Sequence, residues 1–178
     1  VKHSFTVDHQ SNIPRIVKEA FYVATSGRQG PVVIDVPKDL TNPDDLFDFN
    51  YPDEANIRSY NPPIKPEENQ IDRVIEALKN SKRPVIYAGG GTIASNASNE
   101  LREFNSYIKA PVTNTLMGLG VYPGTDKYFL GMLGMHGTFQ ANMAMHNADL
   151  ILAVGARFDD RITNTPEKFA PRAQIVHF

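Results

Sequence analysis

GMLGMHGTFQANMAMHNADLILAVGARFDDR, residues 131–161, sets a glycine-rich turn (Gly131, Gly134, Gly137) ahead of a helix-like segment and a hydrophobic strand, Leu150 to Val154. The strand ends in Gly155 and a cluster of charges: Arg157, Asp159, Asp160 and Arg161. Open α/β sheets build ligand crevices where buried strands end at their carboxyl side. Glycines there allow close backbone approach and leave amides to meet phosphate. The same spacing also suits an ordinary buried helix–strand pair with a solvated charge cluster, and spacing alone does not separate the two.

Upstream, residues 84–88 form an apolar run that enters Gly89, Gly90, Gly91 and Thr92. It follows an amphipathic helix marked by Ile71, Val74, Ile75 and Leu78. A second helix is expected over residues 95–108 and a short strand over residues 111–113, ending in Asn114, Thr115 and Leu116. Residues 174–178 read as one more strand. Strands alternating with helices, each strand ending near glycine, predict a doubly wound parallel sheet with helices on both faces.

Further upstream the pattern breaks. Residues 41–68 are rich in proline and acidic side chains and show no periodicity, so they read as a linker between domains. Before it, residues 1–11 read as an entry loop. Asn12 and Pro14 mark a helix start, and Ile13, Val17, Ala20, Phe21 and Ala24 share one helical face. Ser26 and Gly27 stop that helix, and residues 31–36 form a β-branched strand between prolines. The expected domains are 1–40, a partial α/β unit, and 69–178.

Composition narrows the function. The chain has 178 residues, 41% apolar and 21% charged, which suits a soluble globular protein. Eighteen basic against twenty acidic residues give −2, so no charge favours nucleic acid or a membrane surface. No apolar run is long enough to span a membrane. With no cysteine, disulfides and thiolate metal sites are excluded. No signal peptide is visible, and a start at Val1 rather than Met predicts a piece of a longer protein.

In a parallel sheet, the ends at Gly89–Gly91, Thr115–Leu116 and Gly155–Arg161 would share one crevice with the Gly131–Gly137 turn. Arg157 and Arg161 suit an extended phosphate-bearing ligand such as a dinucleotide. Gly89-Gly90-Gly91 lacks the spacing of the dinucleotide fingerprint and serves equally as a tight turn. His136 reads first as a packed, hydrogen-bonded histidine. Four of the five methionines lie between Met132 and Met145, as adaptable core or pocket lining. No nucleophile-and-base set and no metal-spaced histidine pair occurs.

Five motifs resemble one family. GRQGPVVIDVPKD (27–39) resembles the closing strand of the pyrimidine-binding domain of thiamine-diphosphate enzymes, and RPVIYAGGG (83–91) the first strand of their central, Rossmann-like domain. LMGLG (116–120), LGMLGMHG (130–137) and VGARFDDR (154–161) together resemble the acetolactate synthase large-subunit family. The resemblance covers nearly the whole chain.

It implies an enzyme that condenses pyruvate with pyruvate or 2-oxobutyrate in branched-chain amino acid synthesis, using thiamine diphosphate, Mg2+ and an FAD without net redox role. It assigns FAD to Arg28, Gly89, Gly90, Gly91, Thr115, Leu116, Leu133, Gly134, Met135, His136, Gly155, Arg157, Asp159 and Arg161. Lys38, Met135, Asp160 and Arg161 match the channel where substrate and inhibitors pass. Thiamine diphosphate and Mg2+ would be held outside this chain, leaving it no catalytic residue or metal site and no activity alone. The parent is expected to be a cytoplasmic homo-oligomer with a small regulatory subunit. Rivals are a sibling such as glyoxylate carboligase or pyruvate oxidase, and a non-catalytic nucleotide-binding module. A sirtuin-type deacylase would need zinc-binding cysteines, which are missing.

Overall fold

The computed structural model describes residues 1–63 and 65–178; Ile64, inside the expected linker, lies outside the described residues. The chain divides into two compact units, Val1–Pro66 and Glu67–Phe178.

In the first unit a parallel pair, β1 (His3–Thr6) and β2 (Val32–Asp35), is joined by helix α1 (Ile13–Thr25), with His3 opposite Val32. This corrects the expected entry loop: residues 3–6 are a strand, too short and too exposed to show a two-residue period. Asn12 stands at the helix start, but its side chain donates to Asp8 instead of capping. Helix α1 buries Pro14, Ile16, Glu19, Ala20 and Val23, while Phe21 faces out, 65% exposed. The buried face is therefore turned from the one expected, and it carries the Glu19 carboxylate, held by Arg15 one turn earlier at 3.0 Å.

Residues of the proline-rich stretch are bonded to this unit. The Tyr60 hydroxyl accepts from Lys2 Nζ at 2.7 Å and donates to the Ser26 carbonyl at 3.1 Å. Its ring meets Tyr22 edge-on, with centroids 5.9 Å apart.

The second unit is a five-stranded parallel sheet in the order β5-β4-β3-β6-β7. Its strands are β3 (Pro84–Ala88), β4 (Val112–Asn114), β5 (Phe129–Met132), β6 (Leu150–Val154) and β7 (Gln174–His177). Their alternation fills both faces. Val85, Tyr87, Ile151 and Ala153 enter one core, where Met145 of helix α5 (Phe139–Asn147) packs. Ile86, Ala88, Leu150 and Leu152 enter the other, under Leu101 of helix α4 (Ser98–Ile108) and the half-buried Val74 and Leu78 of helix α2 (Glu68–Asn80). A central strand buried on both faces must be apolar at nearly every position, which is why β3 and β6 read as unbroken runs.

Two local expectations are corrected. The helix expected over 95–108 is α4, starting at Ser98, and a short helix that was not expected, α3 (Gly90–Ala94), precedes it, so the triple glycine opens a helix directly. The turn expected from Gly131 is partly strand: Gly131 lies inside β5 at φ +85°, beside a register shift between Val112 and Asn114. A glycine at positive φ accommodates such an irregularity without a Cβ penalty.

Candidate functional site

The chain runs from β3 outward to β4 and β5, then returns across the sheet to β6 and β7. Winding therefore reverses between β3 and β6, and the crevice of a doubly wound sheet opens at that switch, outside the carboxyl strand ends.

The loops at this edge are bonded to one another. Gly89 N donates to Val154 O and Gly91 N to Gly155 O, each at 2.9 Å. Thr115 N donates to Ala88 O at 2.9 Å, and Leu133 N to Asn114 O at 3.1 Å. Thr92 also holds the β6 exit, its hydroxyl donating to Val154 O at 2.9 Å. The Thr115 hydroxyl accepts from Gly118 N at 2.9 Å and shapes the turn over Leu116–Gly118.

A short helix after β6, α6 (Asp160–Thr163), returns over the end of β5. A Cβ on Gly134 would stand 2.7 Å from Ile162 Cδ1 and 3.3 Å from Arg161 O. The structure thus brings together Gly89, Gly90, Gly91, Thr115, Leu116, Leu133, Gly134, Gly155 and Arg161 along one edge. Gly89, Gly91 and Gly155 are explained by backbone packing. Gly89 and Gly91 would each drive a Cβ into Gly155, at 2.3 Å and 2.8 Å from its nearest atoms.

The side chains at this edge are of two kinds. Arg157 is exposed and pairs with Asp159 at 3.3 Å, Nη2 to Oδ2. Asp159 also caps α6, accepting from Arg161 N at 3.1 Å. Asp160 and Arg161 are exposed, and Arg161 is in no ion pair among the described residues. Leu116, Met117 and Met135 are exposed apolar groups, 68%, 77% and 69%. His136 is exposed as well, a correction to the packed histidine expected for it. Leu133 is buried in the core, so only its backbone faces the edge. Arg28 and Lys38 belong to the first unit, and both are exposed.

Three residues that sequence reading passed over support the loop after β6. His177 Nε2 lies 2.6 Å from Ala156 O, and the Tyr87 hydroxyl 3.5 Å from Arg157 O. The Phe158 ring packs between Tyr87 and His177, with centroids 5.6 and 5.7 Å away. Tyr87 is fully buried; burial, with the Asp159 charge, pushes its phenol up to about 12 against the opposing pull of Arg157. In sequence each is simply a strand or loop residue, and only the order of the strands places them together.

Exposed guanidiniums beside exposed apolar side chains form a donor set that fits a ligand with both a diphosphate and a flat ring. FAD is such a ligand.

Comparison with known proteins places the chain. A family model described as "thiamine pyrophosphate enzyme, central domain" matches residues 71–178. The acetolactate synthase large subunit of Haemophilus influenzae is 51% identical over 99% of this chain and 31% of its own length. Isozyme 3 of that subunit from Escherichia coli is 49% identical, with the same shares. The chain therefore spans about a third of the curated relatives it matches. A crystal structure from Mycobacterium smegmatis, described as a thiamin diphosphate-dependent enzyme, superposes with a TM-score of 0.67 at 24% identity. It covers 88% of this chain and 29% of that one, and it shows the fold alone. With a parallel α/β sheet, a family model over its second unit and acetolactate synthase large subunits as homologues, the chain belongs to the thiamine pyrophosphate enzymes and carries their central domain.

Proposed function

We propose that the edge between β3 and β6 holds FAD in a protein that works as the large subunit of an acetolactate synthase. The observation that carries this is the convergence of the three strand-end loops at the switch point, with Arg157 and Arg161 beside Leu116 and Met135. Two forked guanidiniums suit the diphosphate, and the apolar side chains suit the ring. The flavin supplies a flat, apolar ring system to the channel wall and, in the reaction the resemblance implies, takes no net redox part.

The chain's own residues bind and orient. The amides around Gly90 and Leu116 line the floor, Asp159 orients Arg157, and Asp160 and Arg161 front the path of the 2-oxo acids. For Arg28 and Lys38 the resemblance is the support. Thiamine diphosphate and Mg2+ are assigned to parts of the parent outside these residues, as is a small regulatory subunit acting on a homo-oligomer. The location is proposed as cytoplasmic; among the described residues no helix is long and apolar enough to cross a membrane.

The intact protein, purified and stripped of cofactors, tests this. It should form acetolactate from pyruvate when given thiamine diphosphate, Mg2+ and FAD, and lose activity when FAD alone is withheld. Full activity without FAD would overturn the flavin assignment. Flavin binding without any carboligation would overturn the acetolactate synthase assignment.

A further inference from the structure

The loop that carries Arg157, Asp159 and Arg161 leaves β6 at Gly155 and must turn sharply before its charged side chains reach the edge. Gly155 N donates to Phe178 O at 3.3 Å, which ties the loop's first residue to the end of β7. One residue earlier on β7, His177 reaches over with its ring. Nε2 lies 2.6 Å from the Ala156 carbonyl oxygen. A carbonyl only accepts, so Nε2 carries the proton. The same ring meets Phe158 edge-on at 80°. One side chain therefore fixes two nearby residues, Ala156 by a hydrogen bond and Phe158 by packing, on either side of Arg157.

We infer that His177 is a positioning residue of the flavin site, holding the backbone from which Arg157 and Arg161 are presented. This rests on the FAD reading above. The sheet does not need His177 for its ladder, since β7 pairs with β6 through backbone from Gln174 to His177. Loss of the side chain should therefore leave the fold and move the loop.

The test is FAD titration of the intact, flavin-free protein by quenching of flavin fluorescence, alongside thermal unfolding of the same samples. His177→Gln puts an amide donor near the position of Nε2, whereas His177→Asn is polar but too short to reach. His177→Leu removes the donor altogether. Leu and Asn should each raise the FAD Kd about tenfold, the loss of one well-placed bond and its packing. Gln should stay within about threefold of the parent, and all unliganded midpoints within a few degrees. Unchanged affinity in both Leu and Asn, or Gln no better than Asn, overturns the positioning role. Parent protein that binds no FAD overturns the flavin reading itself, and is seen before any variant is made.

Discussion

Gly89 and Gly155 lie back to back where β3 and β6 leave the sheet: a Cβ on Gly89 would stand 2.3 Å from Gly155 O, and one on Gly155 2.3 Å from Thr92 N. Gly155 is also at φ +56°, where a side chain is strained. The switch-point crevice exists in this form because neither residue has a side chain.

Gly155→Ala should therefore destabilise the chain by about 3 kcal/mol, strain and overpacking together. Gly120 is the control, at φ +95° with nothing among the described residues within 4 Å of the position a Cβ would take. Gly120→Ala should cost only about 1 kcal/mol, from strain alone. Urea unfolding of the two variants checks this, and equal losses would contradict the packing argument.

Tyr87 should be a late-ionising phenol. Its phenol sits at about 12, raised first by burial, against about 10 when unfolded. The folded state holds this proton more tightly, so its contribution is complete below pH ~10 and is lost as pH rises through ~12. The loss is on the order of 2–3 kcal/mol. Absorbance titration of phenolate, compared with Tyr87→Phe, should show one late-ionising group that the variant lacks.

Asp149 clips the entry of β6 to the turn after α2, accepting from Ser81 Oγ and from the amides of Lys82 at 2.8 Å and Arg83 at 2.9 Å. Burial pushes its carboxyl up, but these bonds outweigh it and hold it below the ordinary value. The stabilisation is thus present above the unfolded value of ~3.9 and is lost as pH falls through the lower folded one. Solvent screens the group, so Asp149→Ala should cost only about 1–2 kcal/mol at neutral pH. Chemical unfolding at pH 7 should show that loss, and a much smaller one near pH 2.

How much of this was legible in the sequence varies by element. The runs at β2, β3 and β6 are β-branched or apolar nearly throughout, and the structure has strands at all three. Strand β5 was hidden because Phe129–Met132 contains a glycine and pairs through an irregular register, features that signal a turn locally. Strand β1 has no buried residue to give it a pattern. The three loops of the site could be named from their glycines, yet their meeting depends on strand order, which no local signal carries. His177 was unreadable for the same reason: its partner is 21 residues away and one strand over.

Residues 1–178 alone should make no acetolactate from pyruvate, even with thiamine diphosphate, Mg2+ and FAD, because the proposal assigns both halves of the thiamine site elsewhere. A colorimetric product assay checks this. Sustained product dependent on the chain would show that the catalytic machinery has been misplaced.

The central claim, that this edge binds FAD through its arginines, is tested most directly by titrating intact protein with FAD before and after Arg161→Ala. A charge-assisted forked bond is worth roughly 1.5–3 kcal/mol, so the variant should bind FAD at least about tenfold more weakly. Exposed pairing of the kind seen between Arg157 and Asp159 contributes little by itself. An FAD Kd unchanged by Arg161→Ala would contradict the account and return the cluster to an ordinary charged surface.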